Sequence, residues 1–226
     1  MKIAMIMLAA GNSRRFGTNK LLYEINGMSM YQHVLCQLQQ AKDRLENKSK
    51  LQKELSSICN STGKKSGGAD EVCINKCSEE VPDIKCGITV VTQYDAIAES
   101  VRKQGIQVLY NLHPEMGISS SLKVGLSANM KTDAVLFAVA DQPWLTCETI
   151  CGLILAFLHS KKEIACISCR GETGNPCIFK KKYYEELLAL KGDKGGKRVI
   201  MKHLEDTCIY EVMNARELED IDYRDQ

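Results

Sequence analysis

The sequence predicts an α/β fold, a mostly parallel sheet sandwiched by helices. Three observations carry this. Apolar runs of strand length recur along the chain, segments of helical period lie between them, and the two kinds alternate from the first residues onward. Of the 226 positions, 44% are hydrophobic and 26% charged, as in an ordinary soluble protein, and no apolar run reaches membrane-spanning length. A net charge of +2 without a basic stripe gives no nucleic-acid footprint. The length suits one domain, 1–226, rather than several.

The first strand is Ile3 to Leu8, continuous and apolar as a strand buried on both faces should be. Lys2 followed by "IAMIMLAA" has the look of a short signal peptide, but one lysine makes a thin n-region and its removal would delete that strand. The strand empties into "LAAGNSRRFGTNK", Leu8 to Lys20. Tyr31, Val34, Leu35, Leu38, Ala41 and Leu45 then recur at helical spacing. Residues 43–86 break the alternation: they are polar and lysine-rich, contain "STGKKSGGAD", and read as an insertion. Strands resume at Ile88 to Val91 and Ile106 to Tyr110, with a helix marked by Ile97 and Val101 between them. "MGISSSL" opens a third helix that carries Leu122 and Leu126. Ala134 to Ala140 is the strongest apolar run and ends in "VADQP". Thr146 is a plausible N-cap, with Glu148 in the first turn of a helix carrying Ile150, Leu153, Ile154 and Leu158. Ile164 to Ile167 is the last apolar run. In such a sheet ligands bind outside the carboxyl ends of the strands, where the opening loop and "VADQP" both lie.

The loop fits neither of two familiar phosphate motifs. Gly17 is followed by Thr18, Asn19 and Lys20 rather than directly by lysine, and Gly11 and Gly17 stand too far apart for a three-glycine dinucleotide fingerprint. Its residues still suit an anion. Ala9, Ala10 and Gly11 permit close backbone approach, and Arg14, Arg15 and Lys20 supply charge to neutralise a polyphosphate. A surface turn with solvated basic residues is the alternative.

"LAAGNSRRFGTNKLL" resembles the LAAGxSxRxGxxK signature of nucleotidyltransferases, in particular the molybdenum cofactor cytidylyltransferases of the MobA/MocA-like group. "NLHPEMGISSSLKVGL", "VADQP", "GNPCIF", "GDKGGKR" and "DIDYRD" are similar to that group's later blocks, in order. The resemblance implies a Rossmann-like sheet of the nucleotide-diphospho-sugar transferase kind. It implies transfer of CMP from CTP to the terminal phosphate of a molybdopterin-type acceptor, with Mg2+ and release of pyrophosphate. GTP or a sugar phosphate acceptor are the enzymatic alternatives, and a docking factor for a molybdoenzyme partner is the alternative of another class.

Site roles follow from the same resemblance. Leu8, Ala9, Ala10, Gly11, Arg14, Lys20, Ser119 and Ser120 would bind the nucleotide, and Lys20, Arg15 and Asp141 would carry catalysis. Asp141 and Asp222 would hold the metal, with Asp220 in reserve, and Asn175 and Pro176 would meet the acceptor, although Asn175 stands where the group usually has histidine. Magnesium favours oxygen ligands from one or two carboxylates plus phosphates, which suits an aspartate just past a buried strand. An acceptor phosphate monoester is already anionic at neutral pH, so no His–carboxylate base is required. LAAG accompanies cytidylyl transfer in the group and LAGG guanylyl transfer, so Ala10 points to CTP. The serines are equally well read as helix caps.

Eleven cysteines, scattered through apparent strands and helices, suit reduced thiols in the cytoplasm. Cys166 and Cys169 read as core thiols, since a spacing of three along a strand turns them to opposite faces. Cys147 and Cys151 share a helix face without further ligands nearby. Cys59, Cys73, Cys77 and Cys86 lack paired CxxC knuckles, so a metal clamp there competes with a plain helical or mobile segment. His33, His113, His159 and His203 are dispersed and structural, and Trp144 packs over the end of the strand that precedes it.

Overall fold

The computed structural model describes residues 1–11, 19–47 and 83–221. Arg14, Arg15, Asp222, Cys59, Cys73 and Cys77 lie outside them. The chain runs through β1 (Lys2–Ala9), a small hairpin β2 (Glu24–Ile25) and β3 (Met28–Ser29), α1 (Met30–Glu46), β4 (Lys85–Thr92), α2 (Asp95–Arg102) and β5 (Gln107–Tyr110). It continues through α3 (Ile118–Ser127), β6 (Ala134–Val139), α4 (Cys147–His159), β7 (Ile164–Cys169), β8 (Glu172–Lys180), α5 (Tyr184–Leu188), α6 (Gly196–Lys202) and β9 (Thr207–Glu211).

Seven strands form one sheet in the order β5-β4-β1-β6-β8-β7-β9, parallel except for β8, which is antiparallel to both neighbours. The alternation predicted this mostly parallel sheet because each helical crossover returns the chain to run parallel. Side chains of β1 divide by parity. Ile3, Met5, Met7 and Ala9 enter the core beneath α1, α2 and α4, whereas Ala4, Ile6 and Leu8 enter the one beneath α3, α5 and α6. That two-sided burial is why the strand reads as an unbroken apolar run.

The order of strand addition reverses about β1: β4 and β5 are added on one side and β6 on the other. The crevice between the ends of β1 and β6 is therefore a topological switch point, where α/β sheets bind ligands.

The predicted N-cap of α4 holds. The Thr146 hydroxyl accepts from the Thr149 amide at 3.2 Å, and Glu148 pairs with Arg44 of α1 at 2.7 Å. At α1 the Ser29 amide donates to Gln32 Oε1 at 3.1 Å. The expected insertion at 43–86 overlaps both neighbouring elements, since Asp43 to Glu46 complete α1 and Lys85 and Cys86 begin β4. Two antiparallel features went unread. The β2–β3 hairpin turns on Asn26 (φ 52°) and Gly27 (φ 79°), and β7–β8 on Arg170 (φ 53°) and Gly171 (φ 84°), left-handed pairs of the kind tight hairpins use.

Candidate active site

β1 and β6 end side by side, tied by the Ala140 amide donating to Leu8 O at 3.0 Å. Two residues past β6 is Asp141, and its carboxylate meets the Lys20 ammonium at 2.7 Å. These groups come from opposite sides of 120 residues of sequence, and the two side chains are only 11% (Lys20) and 23% (Asp141) exposed. Lys20 begins a short 3-10 turn, Lys20–Leu22, and Asn19 caps it by accepting the Leu21 amide on Oδ1 at 3.1 Å. The Asn19 Nδ2 amide is buried without a hydrogen-bond partner among the described residues. The pair expected from the sequence to share one site is thus in direct contact.

Asp141 is also where the C-terminal segment docks. The Ile221 amide donates to Asp141 O at 3.1 Å, one residue before Asp222 in the chain. Upstream, Gln142 Nε2 donates to Leu218 O at 3.1 Å, and the buried Glu217 carboxylate accepts from Thr146 through its amide (3.2 Å) and hydroxyl (3.0 Å). Arg216 stacks 4.2 Å from the Trp144 ring centroid. Sequence reasoning passed over Gln142 and Glu217; a polar residue beside "DxP" and an acid among four were its only signals.

Ala9 and Ala10 are buried and Gly11 is exposed. Gly11 has no left-handed φ, and a Cβ built there would meet none of the described residues within 4 Å, so neither strain nor crowding among them explains the glycine. Thr92, the last residue of β4, and Gln93 and Tyr94 just after it, also unread in the sequence, reach this stretch.

Ser119 and Ser120 sit in the first turn of α3, as expected. Ser119 is buried and its amide donates to Gly192 O at 3.2 Å, while the Ser120 hydroxyl donates to Gly117 O and accepts from Asn111 Nδ2, both at 2.8 Å. Asn111 Nδ2 also reaches Ser121 Oγ at 2.8 Å. Gly117 (φ 83°) is pressed against the Gly192–Asp193 loop so closely that a Cβ would lie 2.5 Å from the Gly192 carbonyl carbon. Ser119 therefore joins the α3 start to the "GDKGGKR" loop, and Ser120 joins it to Asn111.

Asn175 and Pro176 fall in a bulge. Cys166 of β7 faces Cys177, yet Ile167 faces Gly174, so the two residues between are left without partners in the ladder, and the bond joining them is cis. The bulge sets Asn175 in the wall of a cavity of about 190 Å³. Leu8 and Phe137 floor this cavity, and Thr173, Asp193 and Lys197 share its polar wall. Lys20 and Asp141 do not line it; Leu8, two residues before Ala10, is its link to the nucleotide stretch.

Among the described residues no group of three or more His, Cys, Asp or Glu gathers to hold a metal ion. Cys86, one of the four cysteines considered for a metal clamp, is inside β4, where burial pushes its thiol up to about 12, far from a thiolate ligand. Cys166 and Cys169 are core thiols, as read. At the strand end the described chain offers a cation the partly exposed carboxylate of Asp141, and Asp220, the reserve ligand, is exposed one residue before Ile221, whose amide binds Asp141 O. That fits a hard cation held by one or two carboxylates together with a ligand's phosphate oxygens.

A small-residue turn and a carboxylate at the switch point of a mostly parallel sheet define a nucleotide-binding α/β domain. The chain belongs to the MobA-like NTP transferase domain family, whose model matches residues 5–47 and 69–207. A curated relative from Pyrococcus horikoshii, named "Probable molybdenum cofactor guanylyltransferase", is 29% identical over 170 residues. That match covers 74% of this chain and 62% of the relative, so the chain spans under two thirds of the relative's length. Among solved structures, a nucleotidyl transferase from Methanothermobacter is similar with a TM-score of 0.66 at 19% identity, covering 98% of this chain and 92% of that one. A Mycobacterium tuberculosis H37Rv protein solved in complex with manganese gives 0.60 at 19% identity, covering 94% and 89%. These likenesses bear on the fold, which is that of the nucleotide-diphospho-sugar transferases.

Proposed function

We propose that this chain is a nucleotidyltransferase that transfers CMP from CTP to the terminal phosphate of a molybdopterin-type acceptor, releasing pyrophosphate. The observation that carries it is the Lys20–Asp141 ion pair, 2.7 Å long, at the switch point beside Ala9–Gly11. A largely buried charge without a partner is costly, so the pair keeps both charges matched while the site holds no ligand. A nucleotide triphosphate with its cation would exchange those partners, the ammonium turning to phosphate oxygens and the carboxylate to the cation.

In the reaction an acceptor phosphate oxygen attacks the α-phosphorus; a new O–P bond forms and the bond to the β-phosphate bridge oxygen breaks. Pyrophosphate leaves with the bridging oxygen. The anionic nucleophile needs no base, so positioning and charge neutralisation carry the catalysis. Lys20 would offset charge on the departing phosphates, with Arg14 or Arg15 alongside. Asp141, and Asp222 by its place in the sequence next to Ile221, would hold Mg2+, which when bound neutralises phosphate charge. Leu8 to Gly11 would flank the nucleoside, Ser119 and Ser120 would fix the helix end beside it, and Asn175 and Pro176 would receive the acceptor in the adjoining cavity.

Ala10 favours CTP, because one methyl at a base edge tips fit by roughly 1–3 kcal/mol. The Pyrococcus relative, named as a guanylyltransferase, favours GTP as the second reading. A thermal-shift series with Mg2+ and each nucleotide, followed by turnover with molybdopterin and labelled CTP, tests both. CTP should stabilise most. A larger shift with GTP reverses the base assignment, and no shift or turnover with any nucleotide defeats the reading altogether.

A further inference from the structure

We propose that Thr92 and Gln93, braced by Tyr94, are positioning residues for nucleotide binding, which turn the backbone amides of Ala10 and Gly11 toward the ligand. This rests on the nucleotidyl-transfer reading above. The β1–β4 ladder ends at the pair Ala9 and Thr92. Beyond it three consecutive side chains take three consecutive carbonyls: Thr92 Oγ1 donates to Ala9 O at 2.9 Å, Gln93 Nε2 to Ala10 O at 2.9 Å, and Tyr94 OH to Gly11 O at 2.6 Å. Side chains thus continue the pairing for two residues past the last rung.

The hydrogens are committed. Thr92 is buried and its oxygen accepts the Tyr94 amide at 3.1 Å, so its single hydrogen goes to Ala9. Gln93 Nε2 also approaches the Tyr94 oxygen at 3.4 Å, which leaves the phenol hydrogen for Gly11. Chains of this kind strengthen their members.

A trans peptide is planar, with its C=O and N–H on opposite edges. Holding the Ala9 and Ala10 carbonyls toward the end of β4 and the residue after it therefore turns the Ala10 and Gly11 amides away from them, and Gly11 itself is exposed. Successive amides fixed in this way make an anion-binding concavity whose geometry is set before the ligand arrives. Replacing Thr92 or Gln93 leaves the fold but lets one of these peptide planes rotate, and replacing Tyr94 acts on the second through Gln93, whose Nε2 it receives at 3.4 Å.

The test uses the full chain with Tyr94→Phe, Gln93→Met and the double variant. Calorimetric titration with Mg2+ and CTP, or GTP if wild type prefers it, should show nucleotide affinity falling about 5-fold for each single change. The KM for the acceptor should stay as in wild type, with Tm moving by no more than about 4 °C. Hydrogen exchange without nucleotide should be faster only in the peptide containing Ala10 and Gly11. Unchanged nucleotide affinity in variants of a wild type that does bind overturns the proposal alone, and so does an equal loss toward nucleotide and acceptor with a general fall in Tm. A wild type that binds no nucleotide removes the functional reading and the proposal together.

Discussion

Lys20 and Asp141 form a contact in which one residue does two things, and substitutions separate them. Asp141→Asn should lower turnover by about 100-fold or more, through loss of a group that stabilises charge in the transition state. It should also lower Tm, because the Lys20 ammonium, 11% exposed, loses its carboxylate. The cost stays below the ~3–5 kcal/mol of a fully buried pair, since Asp141 is 23% exposed. Adding Lys20→Met should restore part of the stability and none of the activity; recovery of turnover in that double variant would show the two roles to be one. Gly11 gives the converse case. Gly11→Ala adds a methyl that meets no atom of the described residues, at a φ any residue adopts, so Tm should hold or rise slightly. Nucleotide KM should nonetheless rise about 10-fold, as expected when a methyl occupies ligand space. An unaltered KM would assign that space to solvent.

Helices on the far face are tied by polar contacts whose pH behaviour follows from chemistry. Glu186 of α5 accepts from Lys202 of α6 at 2.7 Å and lies 2.9 Å from His203 Nε2. The Lys202 ammonium, with His203 assisting, holds the Glu186 carboxyl below its ordinary 4.5. A carboxyl depressed in the folded state contributes stability that is present above its unfolded value and lost as pH falls through the folded one. Glu186→Gln should therefore lower Tm at pH 7, and the gap to wild type should close as pH drops below about 4.5. A gap that stays constant to pH 3 would mean that the contact is steric rather than ionic. Legibility also divides at this scale. α1 and α4 were readable because apolar residues recur at 3.6-residue spacing, and α4 also because Thr146 caps it. β8 was read as a motif, since Gly174, Asn175 and Pro176 interrupt any alternating pattern, and only the bulge shows why a strand tolerates them. β9 was lost because its outward Ile209, 50% exposed, blurs the apolar-in, polar-out rhythm.

Across the whole molecule, what the sequence conveyed best was the meeting of distant blocks. "LAAG" and "VADQP" each end an apolar run, and the parallel topology brings such ends together, so Lys20 and Asp141 were legible as partners. The contacts that fix them were not. Thr92, Gln93 and Tyr94 act through side chains on backbone oxygens, which leave no periodic or compositional trace. The same topology bears on the stretch between α1 and β4. Its flanks are held by contacts that do not depend on it: the Cys86 amide donates to Glu46 Oε1 at 2.8 Å, the Lys85 amide to Met1 O at 2.9 Å, and the Met1 ammonium to Asp83 O at 2.6 Å. The end of α1 thus already touches the start of β4, and a short connection suffices to join them. The match to the family breaks off at residue 47 and resumes at 69. Deleting residues 60–80 leaves residues 48–59 and 81–82 to bridge flanks that are in contact, and shortening a loop changes its closure entropy by only about 0.6 kcal/mol per halving. The deletion variant should fold with a Tm within a few degrees of wild type and retain its turnover, read by calorimetry and by release of pyrophosphate. If folding survives and turnover is lost, the removed residues belong to the site; if folding itself fails, they carry part of the core that holds α1 against β4.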